Sequence, residues 1–152
     1  NLTPEILIQL FRDHKGKTLK AYSKSDYQTL NRLAYKAISL GKAEVWGAYT
    51  KKNELCAGAM FFRDTRRFVF LFSASNEEAK TNGAIPYLLD SFIEAYSEEK
   101  MILDFEGSND PNLARFYKSF GSSEIHYPHI YYNALPWYIS FALKIKKALQ
   151  NF

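Results

Sequence analysis

The stretch from Phe68 to Phe105, FVFLFSASNEEAKTNGAIPYLLDSFIEAYSEEKMILDF, indicates how this chain folds. It begins with an apolar, largely aromatic run over residues 68–72, which is typical of a strand. A helical spacing of apolar side chains follows, at Ile85, Leu88, Leu89, Phe92, Ile93 and Tyr96. Residues 101–105 are a second apolar run. Strand, helix and strand in this order predict a parallel β-α-β crossover.

Two further strands precede this crossover. Val45–Tyr49 and Leu55–Phe62 are rich in apolar and aromatic residues, and a Lys51-Lys52-Asn53 turn separates them. Asp64-Thr65-Arg66 then forms a second turn before the strand at Phe68. Short strands joined by tight turns pair as neighbours, so we expect three antiparallel strands here.

The amino-terminal part predicts two helices and one strand. Thr3-Pro4-Glu5 supplies an N-cap, a proline in the first turn and an early acid, and this helix should end near Gly16. Ser25-Asp26 offers capping side chains for a second helix that should end at Gly41. Between the helices, Lys17–Tyr22 predicts the first strand of the sheet.

The carboxyl-terminal part predicts a helix, a strand and a closing helix. The first helix should run from Asp110 to Gly121, and the closing one begins at Trp137. Ile125–Tyr132 between them predicts a strand, with Pro128 placing it at an edge or a bulge. The predicted fold class is α/β (α+β), with a mixed central sheet, antiparallel amino-terminal strands, the parallel crossover and flanking helices.

Composition restricts the class of protein. A chain of 152 residues suits a single domain over residues 1–152, and its net charge of +4 comes from scattered basic residues. Cys56 is alone, so no internal disulfide and no cysteine-rich metal site are expected. No apolar run reaches the length of a membrane span. We therefore expect a cytoplasmic protein without a membrane span or a metal.

The order of elements and one motif resemble the GNAT acyltransferases. Residues 109–121, NDPNLARFYKSFG, are similar to the family's later motif, an Asn-led helix that ends in a Phe-Tyr pair and an aromatic-Gly pair. The resemblance implies that Tyr117 lies near the sulfur of an acyl donor such as acetyl-CoA and that Asp110 and Asn112 contact this donor. A core tyrosine is the alternative role, because Tyr117 shares a helical face with Leu113 and Phe120.

A second segment resembles the family's earlier motif, in which a loop between a strand and a helix binds a pyrophosphate through backbone N–H groups. The matching residues are Lys80, Thr81, Asn82, Gly83 and Ala84. The resemblance implies that they hold the phosphates of acetyl-CoA or another acyl-CoA.

FemAB-type proteins, which pair two GNAT-like domains, also resemble this chain. The similarity lies in Leu103–Ser108 and in the later Phe116-Tyr117-Lys118. It implies a second GNAT-like domain upstream, with this chain as the carboxyl-terminal half, and an aminoacyl-tRNA as donor. The first residue is Asn1 and not Met, which is consistent with a piece cut from a longer protein.

Two acids follow the apolar pattern of the last crossover strand. Asp104 and Glu106 alternate with Leu103 and Phe105, which predicts that both carboxyl groups share one face of a strand. Burial would raise the pKa of such a carboxyl group toward neutral pH. Glu106 would then be suited to act as a general base for an amine. Otherwise the two acids cap the next loop or pair with a lysine.

Three hypotheses about function follow. The first is an N-acyltransferase in which a small-molecule or peptide amine attacks acyl-CoA directly, with Tyr117 as acid and Glu106 as base. The second is a FemAB-like transferase that uses aminoacyl-tRNA. The third is a GNAT-like binding domain without catalysis, because a fold alone does not determine activity.

Overall fold

Four strands form a mixed sheet within the described part of the chain, in the order β1-β2-β3-β4. They are β1 (Ala43–Tyr49), β2 (Leu55–Arg63), β3 (Arg67–Ser75) and β4 (Ile102–Asp104). The first three pair antiparallel, and β4 lies parallel to β3. The predicted mixed sheet and parallel crossover are therefore confirmed.

The computed structural model describes residues 2–19, 22–107, 109–128, 130, 132 and 134–150, and only the backbone of 147–150. The chain divides into two compact units, Asn1–Ser122 and Ser123–Phe152. Helices of the first unit are α1 (Pro4–Asp13), α2 (Lys24–Ser39), α3 (Glu77–Asn82), α4 (Ala84–Ala95) and α5 (Pro111–Lys118). The second unit contains α6 (Trp137–Gln150), at the position of the predicted closing helix.

Helix α2 begins one turn before its first apolar residues because Ser23 and Asp26 form a capping box. The Ser23 side chain accepts from the Asp26 backbone N–H at 3.4 Å, and the Ser23 N–H donates to Asp26 Oδ2 at 2.7 Å. These bonds satisfy backbone groups that the first turn of a helix leaves free. The hydrogen bonds from Ser23 lower the pKa of Asp26.

The two faces of the sheet bury separate clusters because strand side chains alternate in direction. On one face, Phe61, Phe68 and Phe70 pack with Leu89 and Phe92 of α4. The rings of Phe61 and Phe92 stack with centroids 3.6 Å apart. The opposite face buries another cluster, which comprises Leu7, Ala34, Met60 and Ala74. Helices α1 and α2 therefore cover one side of the sheet and α4 the other.

The predicted strand over Lys17–Tyr22 is wrong in its described part. Lys15–Thr18 is a short 3-10 helix, and Leu19 N–H donates to the Gly16 carbonyl at 3.1 Å. The Thr18 hydroxyl also donates to the Lys15 carbonyl at 2.8 Å. Local hydrogen bonds of this kind compete with an extended strand. Residues 20 and 21 lie outside the described part.

The predicted strand over Ile125–Tyr132 is also not found in its described residues. Residues 125–128, 130 and 132 have no strand conformation, and residues 129 and 131 lie outside the described part. Pro128 supplies a physical reason, since it has no N–H to donate to a neighbouring strand.

Candidate functional site

Strands β3 and β4 pair in parallel over only three positions. Their register joins Arg67 to Ile102, Phe68 to Leu103 and Val69 to Asp104, where β4 ends. Strand β3 continues to Ser75. Residues 70–75 therefore run on without pairing to β4. In open α/β sheets, ligands commonly bind outside the carboxyl ends of parallel strands. The candidate site is therefore the end of β4 and the unpaired edge of β3 beside it.

Aromatic rings pack together at this candidate site. Tyr117 of α5 stacks on Phe105, with ring centroids 4.5 Å apart and an interplanar angle of 16°. Phe70 of β3 meets the Tyr117 ring edge-on at 6.4 Å. Helix α5 thus places Tyr117 beside the end of β4, and its position near a donor sulfur stays a prediction.

Tyr117 has a half-buried ring and a hydroxyl without a hydrogen-bond partner among the described residues. Burial raises the pKa of Tyr117, so the phenol holds its proton at neutral pH. Within the described part of the chain, no hydrogen-bond partner faces its hydroxyl. A protonated, unpartnered phenol can donate a proton to a leaving group.

The positions of Asp104 and Glu106 differ from the prediction. The strand ends at Asp104, whose Oδ1 accepts from the Glu106 backbone N–H at 2.8 Å, and whose Oδ2 accepts from Arg67 Nη1 at 3.0 Å. Asp104 therefore caps the following loop and pairs with a basic residue. Glu106 is exposed, and its backbone has a left-handed conformation with φ 64°. The two acids therefore do not share a strand face.

The predicted phosphate segment is helical and not a loop over most of its length. Lys80, Thr81 and Asn82 end helix α3, which Asn76 begins by accepting from the Ala79 N–H at 2.9 Å. The Lys80 ammonium pairs with Glu77 at 2.7 Å on the surface. Acids in the first turn, this pair and the cap make residues 77–82 a helix, and sequence reasoning had missed these signals.

Gly83 joins α3 to α4 in the left-handed conformation, at φ 71°. A side chain at this position would meet no atom within 4 Å, so a ligand can approach the backbone. The first turn of α4 offers few donors, however. The Ala84 N–H already donates to Asn82 Oδ1 at 3.1 Å, and Pro86 has no N–H. Ile85 supplies the remaining backbone donor before Tyr87, whose N–H bonds Gly83.

Asp110 and Asn112 occupy the start of α5. The Asp110 carboxylate is the N-cap, and its Oδ1 accepts from the backbone N–H of Asn112 at 2.8 Å. Asn112 is exposed. Their contact with a donor stays a prediction, because capping alone explains the position of the Asp110 carboxylate.

A cavity of about 490 Å³ lies between the β1–β2 hairpin and the α3–α4 junction. Two residues of the predicted phosphate segment, Asn82 and Ala84, line it. Lys51 and Lys52 of the hairpin turn line it as well, and the sequence had indicated them only as turn residues. Glu54 and Glu78 also line it, so the start of α4 opens toward a cavity of mixed charge.

Cys56 lines this cavity but is 2% exposed, and its Sγ donates to the Ala48 carbonyl at 3.3 Å. Such burial is typical of a free cysteine that packs as a small apolar residue. Among the described residues, no three His, Cys, Asp or Glu side chains group closely enough to hold a metal ion. No helix in the described ranges has the length and apolar character needed to cross a membrane.

Comparisons with solved structures show the fold. A probable acetyltransferase aligns with a TM-score of 0.61 at 14% identity, over 88% of this chain and 89% of that one. The aminoglycoside acetyltransferase meta-AAC0020, from an uncultured soil metagenomic sample and in complex with sisomicin, gives 0.62 at 17% identity over 88% and 93%. AAC(6')-Iy, in complex with the bisubstrate analog CoA-S-monomethyl-acetylneamine, gives 0.57 at 7% identity over 85% and 92%.

This chain therefore has the fold of the GNAT acetyltransferases. No protein-family model matches its sequence, and no curated protein matches it significantly.

Proposed function

We propose that this chain is an N-acyltransferase that transfers an acyl group from acyl-CoA to an amine by direct attack. The observation that carries the proposal is the early end of the β3–β4 pairing beside the unpartnered hydroxyl of Tyr117. The arm of the donor would lie along the part of β3 that β4 leaves unpaired, where a protonated phenol can serve the leaving thiolate.

The chemistry needs two proton movements and no covalent intermediate. The amine nitrogen attacks the thioester carbonyl, the C–N bond forms and the C–S bond breaks. Tyr117 gives its proton to the departing sulfur, and Glu106, through a water, accepts the proton that the amine loses. The phosphates of the donor lie at residues 80–84, where the positive end of the α4 dipole favours negative charge.

A small-molecule or peptide amine is the proposed acceptor. Support comes from a protein of the same fold that is named an aminoglycoside acetyltransferase and binds sisomicin. A FemAB-like use of aminoacyl-tRNA, with a second GNAT-like domain upstream, remains a hypothesis from the sequence.

A binding domain without catalysis is the second candidate, and one observation favours it. The first turn of α4 has few free backbone N–H groups, because the Ala84 N–H donates to Asn82 Oδ1 and Pro86 has no N–H. A pyrophosphate would therefore receive fewer backbone hydrogen bonds here than the family's motif supplies. Measured acyl transfer decides between the two candidates.

Tyr117→Phe tests the proposal because it removes the hydroxyl and keeps the ring. Single-turnover transfer from acetyl-CoA to a panel of amines should fall by about 10²- to 10⁴-fold. Chemical denaturation should show nearly unchanged stability, since the hydroxyl has no partner among the described residues. Unchanged transfer by the variant would remove Tyr117 from the mechanism. Absence of both CoA binding and transfer by the parent chain would favour the binding domain.

A further inference from the structure

We propose that Arg67 is a positioning residue that holds Glu106 in place through the carboxylate of Asp104. The inference rests on the proposed function, in which Glu106 receives a proton from the amine. It assigns a role to an arginine on β3 that lies outside both motifs.

One carboxylate connects the two residues. Asp104 Oδ2 accepts from Arg67 Nη1 at 3.0 Å, and Asp104 Oδ1 accepts from the Glu106 backbone N–H at 2.8 Å. The strand register makes this contact possible. Val69 lies opposite Asp104, so Arg67, two residues earlier on β3, shares the sheet face of Val69 and reaches Asp104 diagonally.

The backbone of Glu106 needs such support. Its φ of 64° lies in the left-handed region, which a long side chain seldom adopts, and Gly107 follows at φ 78°. Asn53 is the other described non-glycine residue with positive φ, but it occupies a hairpin turn, where asparagine is common. A strained residue persists only where its surroundings hold it, and strain of this kind concentrates at functional sites.

The ion pair itself adds little to stability, because its side chains are 54% and 34% exposed. Its measurable effect should therefore be on the orientation of the loop. Arg63 provides a matched control, since it makes a similar pair with Glu99 at 2.9 Å, at 37% and 45% exposure. This second pair does not involve the loop after β4.

Amide hydrogen exchange tests the positioning contact without any need for activity. Arg67→Leu should speed exchange of the Glu106 N–H by about two- to fivefold, because the Asp104 carboxylate loses its anchor. Arg63→Leu should leave that exchange unchanged, and Arg67→Lys should restore part of the protection. Denaturation curves confirm that each variant is folded. Unchanged exchange in folded Arg67→Leu would overturn the proposal.

A double-mutant cycle tests the link to chemistry. Arg67→Leu should lower single-turnover transfer by about tenfold in the parent chain and have no further effect in the Glu106→Gln chain. Equal losses in both chains would show that Arg67 does not act through Glu106 and would overturn the proposal. Absence of transfer by the parent chain, with faster exchange in Arg67→Leu, would reject the proposed function and uphold the contact.

Discussion

At the scale of single residues, Glu44 accepts two hydrogen bonds between β1 and the end of α4. The Tyr96 hydroxyl donates to Oε1, and Trp46 Nε1 donates to Oε2 at 2.9 Å. Burial and the bond to Glu44 raise the pKa of Tyr96 to about 12. Because the unfolded chain releases this proton near pH 10, folding favours the protonated phenol between these two values.

The prediction from this pair concerns stability against pH. The stability advantage of the parent chain over Tyr96→Phe should be full below pH 10 and should shrink as the pH rises toward 12. Guanidinium unfolding of both chains at several pH values measures the difference. Tyr87→Phe is the control, since Tyr87 is 70% exposed. A constant difference between the parent and Tyr96→Phe across this range would refute the assignment.

Sequence reasoning about the site predicted the helix that carries Tyr117 but not the positions of the two acids. A helical motif places Tyr117 by local geometry, and the helix formed as expected. The strand face predicted for Asp104 and Glu106 depended on where β4 ends. The hydrogen bond from the Glu106 N–H to Asp104 ends the extended conformation, and no alternation of residue types reveals such a bond.

At the scale of elements, the start of α4 decides how an anion could bind. Gly83 is both the last cap of α3 and the first cap of α4, and no acid lies in the first turn of α4. The positive end of the helix dipole is therefore uncompensated by an acid in that turn. Asparagine and aspartate tolerate a left-handed conformation better than other side chains, and they differ in charge but hardly in shape.

This similarity gives a matched pair of variants. Gly83→Asp should weaken CoA binding about five- to tenfold relative to Gly83→Asn, because the added charge repels a phosphate at the same position. Both variants strain the left-handed backbone at position 83 to a similar extent, so backbone strain would not explain a difference between them. Isothermal calorimetry on both variants provides the measurement. Equal affinities would place the donor phosphates elsewhere.

At the scale of the whole molecule, the described hydrophobic clusters lie within the unit Asn1–Ser122. Their members come from both faces of the sheet, and the partly buried residues around them run from Leu2 to Phe120. A unit that contains its own core can in principle fold alone.

A chain that ends at Ser122 should therefore fold. Circular dichroism should show both helix and strand, and thermal unfolding should remain cooperative. The full chain is the reference, and a chain truncated at Ser97, which lacks β4 and α5, is the negative control. A non-cooperative transition in the longer fragment would show that Ser123–Phe152 is needed for folding.

The sequence by itself determined the elements with strong local signals. Apolar runs, turns, helical spacing and caps predicted α1, α2, α4, α5 and the four strands, and their order predicted the parallel crossover. Each of these signals acts within one element or between chain neighbours, so it can be read without the fold.

Only the tertiary structure decided the rest. It ended β4 at Asp104, tied that residue to Arg67, and placed the start of α4 beside a cavity. These features depend on pairing register, on backbone dihedrals and on partners 37 residues apart in the chain, as for Arg67 and Asp104. Composition and periodicity carry no record of such distances, because they describe neighbours in sequence and not neighbours in space.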